Sequence, residues 1–254
     1  MNVRIEAEPR IVRILVASVC AAIAGAASAD ISNPPIIFTA SSSLGEATFK
    51  VSLEDGEWIS EDTWVWNLPQ TIDFVDQNNG SLIARLTQGS SFIQEDPVLA
   101  GGFSVQAGAV DTNFTITIGS LGFPTINSPL ARASGGMTVT DGDGNGATVT
   151  GLMPGGTMYD TSYNFGTGFA SLIPGPLVEP DAWGSEAASD EYPAGAGNFI
   201  ALGVPAFEMF AEWRFTVSAN DSAAGTGVFV IVPSPGVLGL AGLGVGMAIV
   251  RRRR

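Results

Sequence analysis

The chain has no histidine and, among its 254 residues, a single cysteine and a single lysine. The cysteine, Cys20, lies in an apolar run near the start, so from Asp30 onward there is neither His nor Cys. That excludes Ser–His–Asp and Cys–His catalysis in this region. It also excludes zinc, copper and haem sites built from their usual ligands. The lysine, Lys50, sits in Ala47-Thr48-Phe49-Lys50, which lacks the serine of an S-x-x-K nucleophile motif. No glycine-rich loop is followed by Lys-Ser or Lys-Thr, so a phosphate-cradling loop is absent. Disulfides are unavailable as well. Stability must come from burial, for which about 200 residues suffice to build one core.

Positive charge is scarce. Seven of the arginines lie near the two termini, and between Asp30 and Val232 only Lys50, Arg85, Arg132 and Arg214 oppose 23 Asp and Glu, a net charge of −19. Nucleic acid and anionic lipid both need a basic patch, so no nucleic-acid partner is expected. An acidic surface suits solubility outside a cell and tolerates divalent cations.

The two ends carry targeting patterns. Residues 1–29 read as a secretory signal peptide, with Arg4, Arg10 and Arg13, an apolar stretch from Ile14 to Ala27, and the small-residue cleavage site Ala27-Ser28-Ala29. Val19 precedes Cys20 where a lipoprotein site wants a small residue, so Cys20 reads as part of the apolar run. At the other end, Val232-Pro233-Ser234-Pro235 is followed by the uncharged run Gly236 to Val250 and then by Arg251, Arg252, Arg253 and Arg254. The prolines favour extended backbone. The run can enter a bilayer as a short helix, and the arginines act as a stop signal on the cytoplasmic side.

This tail, residues 232–254, resembles the PEP-CTERM sorting signal of exported bacterial proteins, which joins a Pro-Glu-Pro-type motif, a short transmembrane helix and an arginine cluster. Ser234 stands where that motif commonly has glutamate. The resemblance implies an inner-membrane intermediate, a partnership with an exosortase-type protease, and a final place at the cell surface or outside the cell, in association with exopolysaccharide. It supplies an address and no activity.

Between the two ends, short alternating segments recur. Phe49/Val51/Leu53, Trp64/Trp66/Leu68, Phe103/Val105/Ala107, Phe114/Ile116/Ile118 and Trp213/Phe215/Val217 each alternate with polar or small neighbours, and Val228–Val232 is a β-branched and aromatic run. Asn79-Gly80 is a hairpin signal. Asp141–Gly146 and Asn220–Gly227 read as further turns. Strands with one apolar face need a second apolar layer. The expectation is therefore an all-β fold: a single antiparallel β-sandwich of jelly-roll or Greek-key type, spanning residues 30–231 as one domain with long Gly/Pro-rich loops. Residues 152–207, with Pro154, Pro174, Pro176, Pro180, Pro193 and Pro205, read as a loop-rich excursion with one or two short strands.

Three chemical readings remain. Glu54, Asp55, Glu57, Glu61, Asp62, Glu95 and Asp96 supply acids for a carboxylate glycosidase, although nothing selects a pair. Trp64 and Trp66, two apart on a strand, share one face and offer a platform for sugar rings, which Trp58, Tyr159, Tyr163 and Trp183 would extend. An exposed face favours a glycan-binding module, and a buried one favours ordinary core. Asp141, Asp143 and Asn145, with Gly146, match the start of a calcium loop, while Leu152 fills the position of its bidentate acid. The leading expectation is a non-catalytic surface or matrix protein. A glycan-binding module is the alternative.

Overall fold

A strand buries every second side chain, so the spacing of buried residues shows which face of each strand meets the core. The computed structural model describes residues 30–234. The expected signal peptide lies outside these residues, as do Pro235, the run Gly236–Val250 and the four terminal arginines. Among the described residues no helix is long and apolar enough to cross a membrane.

In chain order the first strands are β1 (Asp30–Ile31), β2 (Ile36–Ser42), β3 (Gly45–Val51), β4 (Glu57–Trp58), β5 (Thr63–Asn67) and β6 (Ile72–Val75). The long strands β7 (Leu82–Gln94), β8 (Val98–Ala107), β9 (Thr112–Ile126) and β10 (Pro129–Thr140) follow. Then come β11 (Ala147–Gly151), β12 (Thr157–Tyr163), β13 (Thr167–Pro174), β14 (Leu177–Glu179), β15 (Ser185–Tyr192), β16 (Ile200–Ala201), β17 (Ala206–Val217) and β18 (Ser222–Pro233).

The fold is all-β, with two antiparallel sheets arranged as a sandwich. One sheet runs β13-β12-β17-β9-β2-β3, with β1 on β9 and β11 joining β17 to β14. The other runs β15-β10-β18-β8-β7-β5-β4, with β16 on β10 and β6 on β7. Aromatic side chains from both sheets fill the space between them. Phe103 stacks on Phe215 at 5.5 Å between ring centroids, Phe114 on Phe215 at 5.6 Å, and Tyr159 on Trp213 at 4.5 Å. These rings need room both across the core and beside them in their own sheet. A Cβ at Gly227 would come within 2.7 Å of the Tyr159 ring, and one at Gly225 would collide with Phe103.

Those glycines correct one expectation. Asn220–Gly227 is not a single long turn: the turn ends at Asp221, and Gly225 and Gly227 lie inside β18 with their missing side chains toward the core. A second correction concerns residues 152–207, which contain all of β12, β13, β14, β15 and β16. Their prolines sit at strand ends or between strands, where no ladder N–H is required. Pro174 closes β13, Pro180 follows β14, Pro193 follows β15 and Pro205 precedes β17.

Candidate functional site

At one end of the sandwich the chain crosses between sheets. β10 and β18 are neighbours in one sheet, with Thr140 opposite Ser222. Asp141 therefore leaves β10 beside Asp221, which enters β18. The Asp141–Gly146 loop then passes to β11 in the other sheet, so it is a crossover and not the hairpin that its composition suggests.

Backbone donors surround Asp141. Its Oδ1 accepts the N–H of Gly144 at 2.9 Å and of Asp143 at 3.2 Å, and its Oδ2 accepts the N–H of Trp183 at 2.7 Å. Burial pushes the carboxyl's pKa up, but these donors together outweigh it and hold the group at about 2. Asp221 Oδ1 accepts the N–H of Gly142 at 3.0 Å, and its Oδ2 takes the Ser218 hydroxyl. Burial raises the Asp221 pKa; the bonds from Ser218 and Gly142 oppose that rise, and the charges of Asp143 and Asp141 add to it. Asn220, with a positive φ of 63°, donates its side-chain amide to Asp143 Oδ2 at 3.0 Å.

One oxygen each from Asp141, Asp143 and Asp221 lies within 4.8 Å of the other two. The fold thus brings together two of the three residues expected for calcium and replaces Asn145, which is exposed, by Asp221 from far along the chain. Asp141 Oδ1 already accepts two N–H bonds, but Asp141 Oδ2, Asp143 Oδ2 and both Asp221 oxygens accept one each, which leaves a lone pair on each for a cation. Leu152 stays apolar and 40% exposed and contributes nothing to the cluster.

The aromatic platform is not on the surface. Trp64 and Trp66 are buried, so of the two readings open for this pair the structure gives ordinary core and not a sugar-stacking face. Trp64 donates its indole N–H to the carbonyl of Leu53 at 3.1 Å, and Trp66 packs against Phe38 at 5.9 Å between centroids. Tyr159 and Tyr163 are buried too, while Trp58 and Trp183 are exposed at opposite ends of the sandwich. Trp183, 69% exposed with φ 63°, is held beside the acidic crossover by its backbone bond to Asp141.

Two of the acids picked out for glycoside chemistry, Asp55 and Asp62, serve local turns. Asp55 accepts the Ser52 N–H at 2.7 Å, and its pKa is lowered chiefly by that bond. Asp62 accepts from Ser60 and Thr63, which lower its pKa in that order. A cross-strand pair that the sequence did not reveal is Asp160 opposite Glu212 on β12 and β17. Burial raises the Glu212 pKa, Arg214 and Thr117 oppose that rise, and Asp160 reinforces it. Each acid already has a partner, Ser171 at 2.6 Å from Asp160 and Thr117 at 3.3 Å from Glu212, as in a polar ladder across a sheet face.

Of the sorting motif, Val232 and Pro233 belong to β18, opposite Leu130 and Pro129, and the Ser234 N–H donates to the Ser128 carbonyl at 2.9 Å. Pro235 and Arg251–Arg254 lie outside the described residues.

No family model matches this chain, and no curated protein matches it. Among solved structures it is similar to the enzymatically active domain of tailspike protein 4 of bacteriophage CBA120, at 13% identity and TM-score 0.21, over 68% of this chain and 20% of that one. The chain thus spans a fifth of that protein's resolved length. It is also similar to the infectious bursal disease virus VP2 subviral particle, at 11% identity and TM-score 0.13, over 83% of this chain and 80% of that one. Likenesses this weak bear on neither activity nor partner.

Proposed function

We propose that this chain is an exported, non-catalytic protein of the cell surface or extracellular matrix, held at the inner membrane by Gly236–Val250 until an exosortase-type protease cuts near Val232–Pro235. Its association with exopolysaccharide is part of the same reading, as is a jelly-roll-type topology, since β8–β9, β9–β10 and β17–β18 all pass between the sheets. One observation carries most of this reading. The last strand runs into the proline motif, and only Pro235 separates Ser234 from the apolar run, so folded domain, cutting site and anchor follow one another without a linker. A divalent cation at Asp141, Asp143 and Asp221 belongs to the proposal as a clamp on the crossover, with calcium as the ion matched by three hard oxygen ligands. Mass spectrometry of the protein from its native cells tests the sorting. A mature, surface-located form that still carries Arg251–Arg254 would overturn it.

A second reading, a glycan-binding module, is favoured by Trp183. A large aromatic held at positive φ and left exposed beside carboxylates and amides is a composition that stacks and hydrogen-bonds sugars. Binding of the purified protein to a glycan array, lost in Trp183→Ala, would support this reading over the first.

A further inference from the structure

The opposite end of the sandwich carries the two ends of the described chain and a set of exposed apolar side chains. β18 finishes there, with Pro233 opposite Pro129. On the other side of β10, Ile200 and Ala201 of β16 pair with Ala131 and Leu130, and the Leu202 N–H donates to the Pro129 carbonyl at 3.1 Å. β17 starts at the same end, with Ala206 opposite Ile126. Phe199, Ile200, Val204 and Phe207 are each about two-fifths exposed or more, and Phe165, at the tip of the β12–β13 turn, is 83% exposed. The rings of Phe165 and Phe207 lie 5.5 Å apart.

The fold holds Phe165 in place. Asn164 and Phe165 have positive φ of 49° and 60°, where a bulky side chain is strained. The Phe165 N–H donates to buried Glu208 Oε2 at 2.7 Å. Asn164 bonds to the Pro205 carbonyl at 2.7 Å and accepts the Phe207 N–H at 3.1 Å. Strain maintained by a buried carboxylate, to present an aromatic ring to solvent, calls for something to receive the ring.

We infer that this end is a membrane-facing base, whose apolar side chains enter the headgroup region of the bilayer into which the C-terminal run inserts. The inference rests on the reading of Gly236–Val250 as an anchor. From Ser234 to Gly236 the chain spans at most about 7 Å. Neighbouring strands lie about 4.8 Å apart, so β16 is about two strand spacings from β18. An anchored domain therefore has this end against the lipid, and aromatic rings are the side chains that settle at the interface. Glu61, Asp62, Glu95 and Asp96 also lie at this end, tied in by the bonds from Glu95 to Asp62 at 2.9 Å and from Ile231 to Pro97 at 3.0 Å. Those acids select a zwitterionic surface over an anionic one.

The test uses the full chain in phosphatidylcholine vesicles, with Phe165 replaced by the photoreactive analogue p-benzoylphenylalanine and Gln77, at the far end, replaced likewise as control. Irradiation should give phospholipid adducts at position 165 and none at 77. Phe207→Ser should lower the yield at 165, and so should admixed phosphatidylglycerol. Capture of a second copy, capture of the chain's own 236–250 segment, or no adduct would each overturn the inference. Alkaline extraction separates the two readings. Retention in the membrane without adducts removes the docking face alone, release with adducts removes the anchor alone, and release without adducts removes both.

Discussion

Tyr159 should be more useful to this fold as phenylalanine. The side chain is fully buried between the sheets, stacked on Trp213, and its hydroxyl has no hydrogen-bond partner among the described residues. A buried, unsatisfied hydroxyl costs about 1–3 kcal/mol of desolvation. Tyr159→Phe removes that cost and leaves a void of about 10 Å3, worth about 0.2 kcal/mol at 24 cal/mol per Å3. The ring stays, and with it the contact to Trp213. The net expectation is a gain of about 1–2.5 kcal/mol, or a rise in melting temperature of about 2–10 °C for a domain of this size.

The same burial gives an independent signature in alkali. Burial pushes the phenol's pKa above its ordinary value of 10.0. In the folded protein Tyr159 stays protonated while the unfolded chain releases the proton, so its share of stability is present below pH 10 and lost above it. The loss approaches about 1.4 kcal/mol per pH unit from this one group. Thermal melts followed by circular dichroism, at neutral pH and between pH 10 and 11, read both effects. Tyr159→Phe should melt higher at neutral pH and lose less stability in alkali. A variant that melts lower than the parent at neutral pH, with an unchanged alkaline slope, would show that the hydroxyl is satisfied and refute the reasoning.

Three further outcomes are expected. Asp141→Ala should destabilise the protein and blunt its acid sensitivity; the Asp141 pKa, depressed to about 2, gives stability that is present above 3.8 and lost as pH falls toward 2, which melts at graded pH would show. Millimolar calcium should raise the melting temperature relative to chelator by an amount corresponding to about 1.4–2.7 kcal/mol at 10–100 times a weak extracellular-type Kd, and Asp141→Asn with Asp143→Asn should abolish the rise; no rise in the parent would remove the cation from the proposal. Trp64→Ala should cost about 3–5 kcal/mol in chemical denaturation, because it empties a core position, whereas exposed Trp183→Ala should stay within about 0.5 kcal/mol.

What could be read in the sequence was whatever depends on neighbours along the chain. Phe114/Ile116/Ile118 and Trp213/Phe215/Val217 are buried in β9 and β17 because alternation alone fixes which residues share a face. Parity does not say which side that face meets. Trp64 and Trp66 were correctly grouped, but only the packing of β5 against Phe38 and Phe49 decides that they point inward. β15 is not legible in the sequence for a related reason. Its sequence, Ser185–Tyr192, lies at a sheet edge with no fully buried position, so it carries no apolar alternation, and its identity as a strand comes from pairing with β10. Gly225 and Gly227 mislead in the opposite direction, since a glycine that makes room for a buried ring, on the next strand or across the core, has the same letter as one that makes a turn.

The acidic crossover divides along the same line. Asp141 and Asp143 could be found because a loop spaces them locally. Asp221 could not, because it reaches them only through the register that sets Thr140 against Ser222. That third carboxylate changes the chemistry of the place. With Asn145 as partner, the loop would carry two charges and an amide; with Asp221, three carboxylates converge, two of them buried, and of those two Asp221 has its pKa raised, by burial first and then by its acidic neighbours, while backbone donors lower that of Asp141. A site in that condition gains from either a proton or a cation. The two are separable by experiment: protonation of Asp221 is mimicked by Asp221→Asn, which keeps an acceptor for the Gly142 N–H and removes one charge. If repulsion is the dominant cost, Asp221→Asn should raise the melting temperature without calcium and shrink the calcium-dependent rise. A fall in melting temperature without calcium would instead mean that the charge on Asp221 is needed by Ser218 and Gly142, and that the three carboxylates are spaced widely enough to coexist unaided.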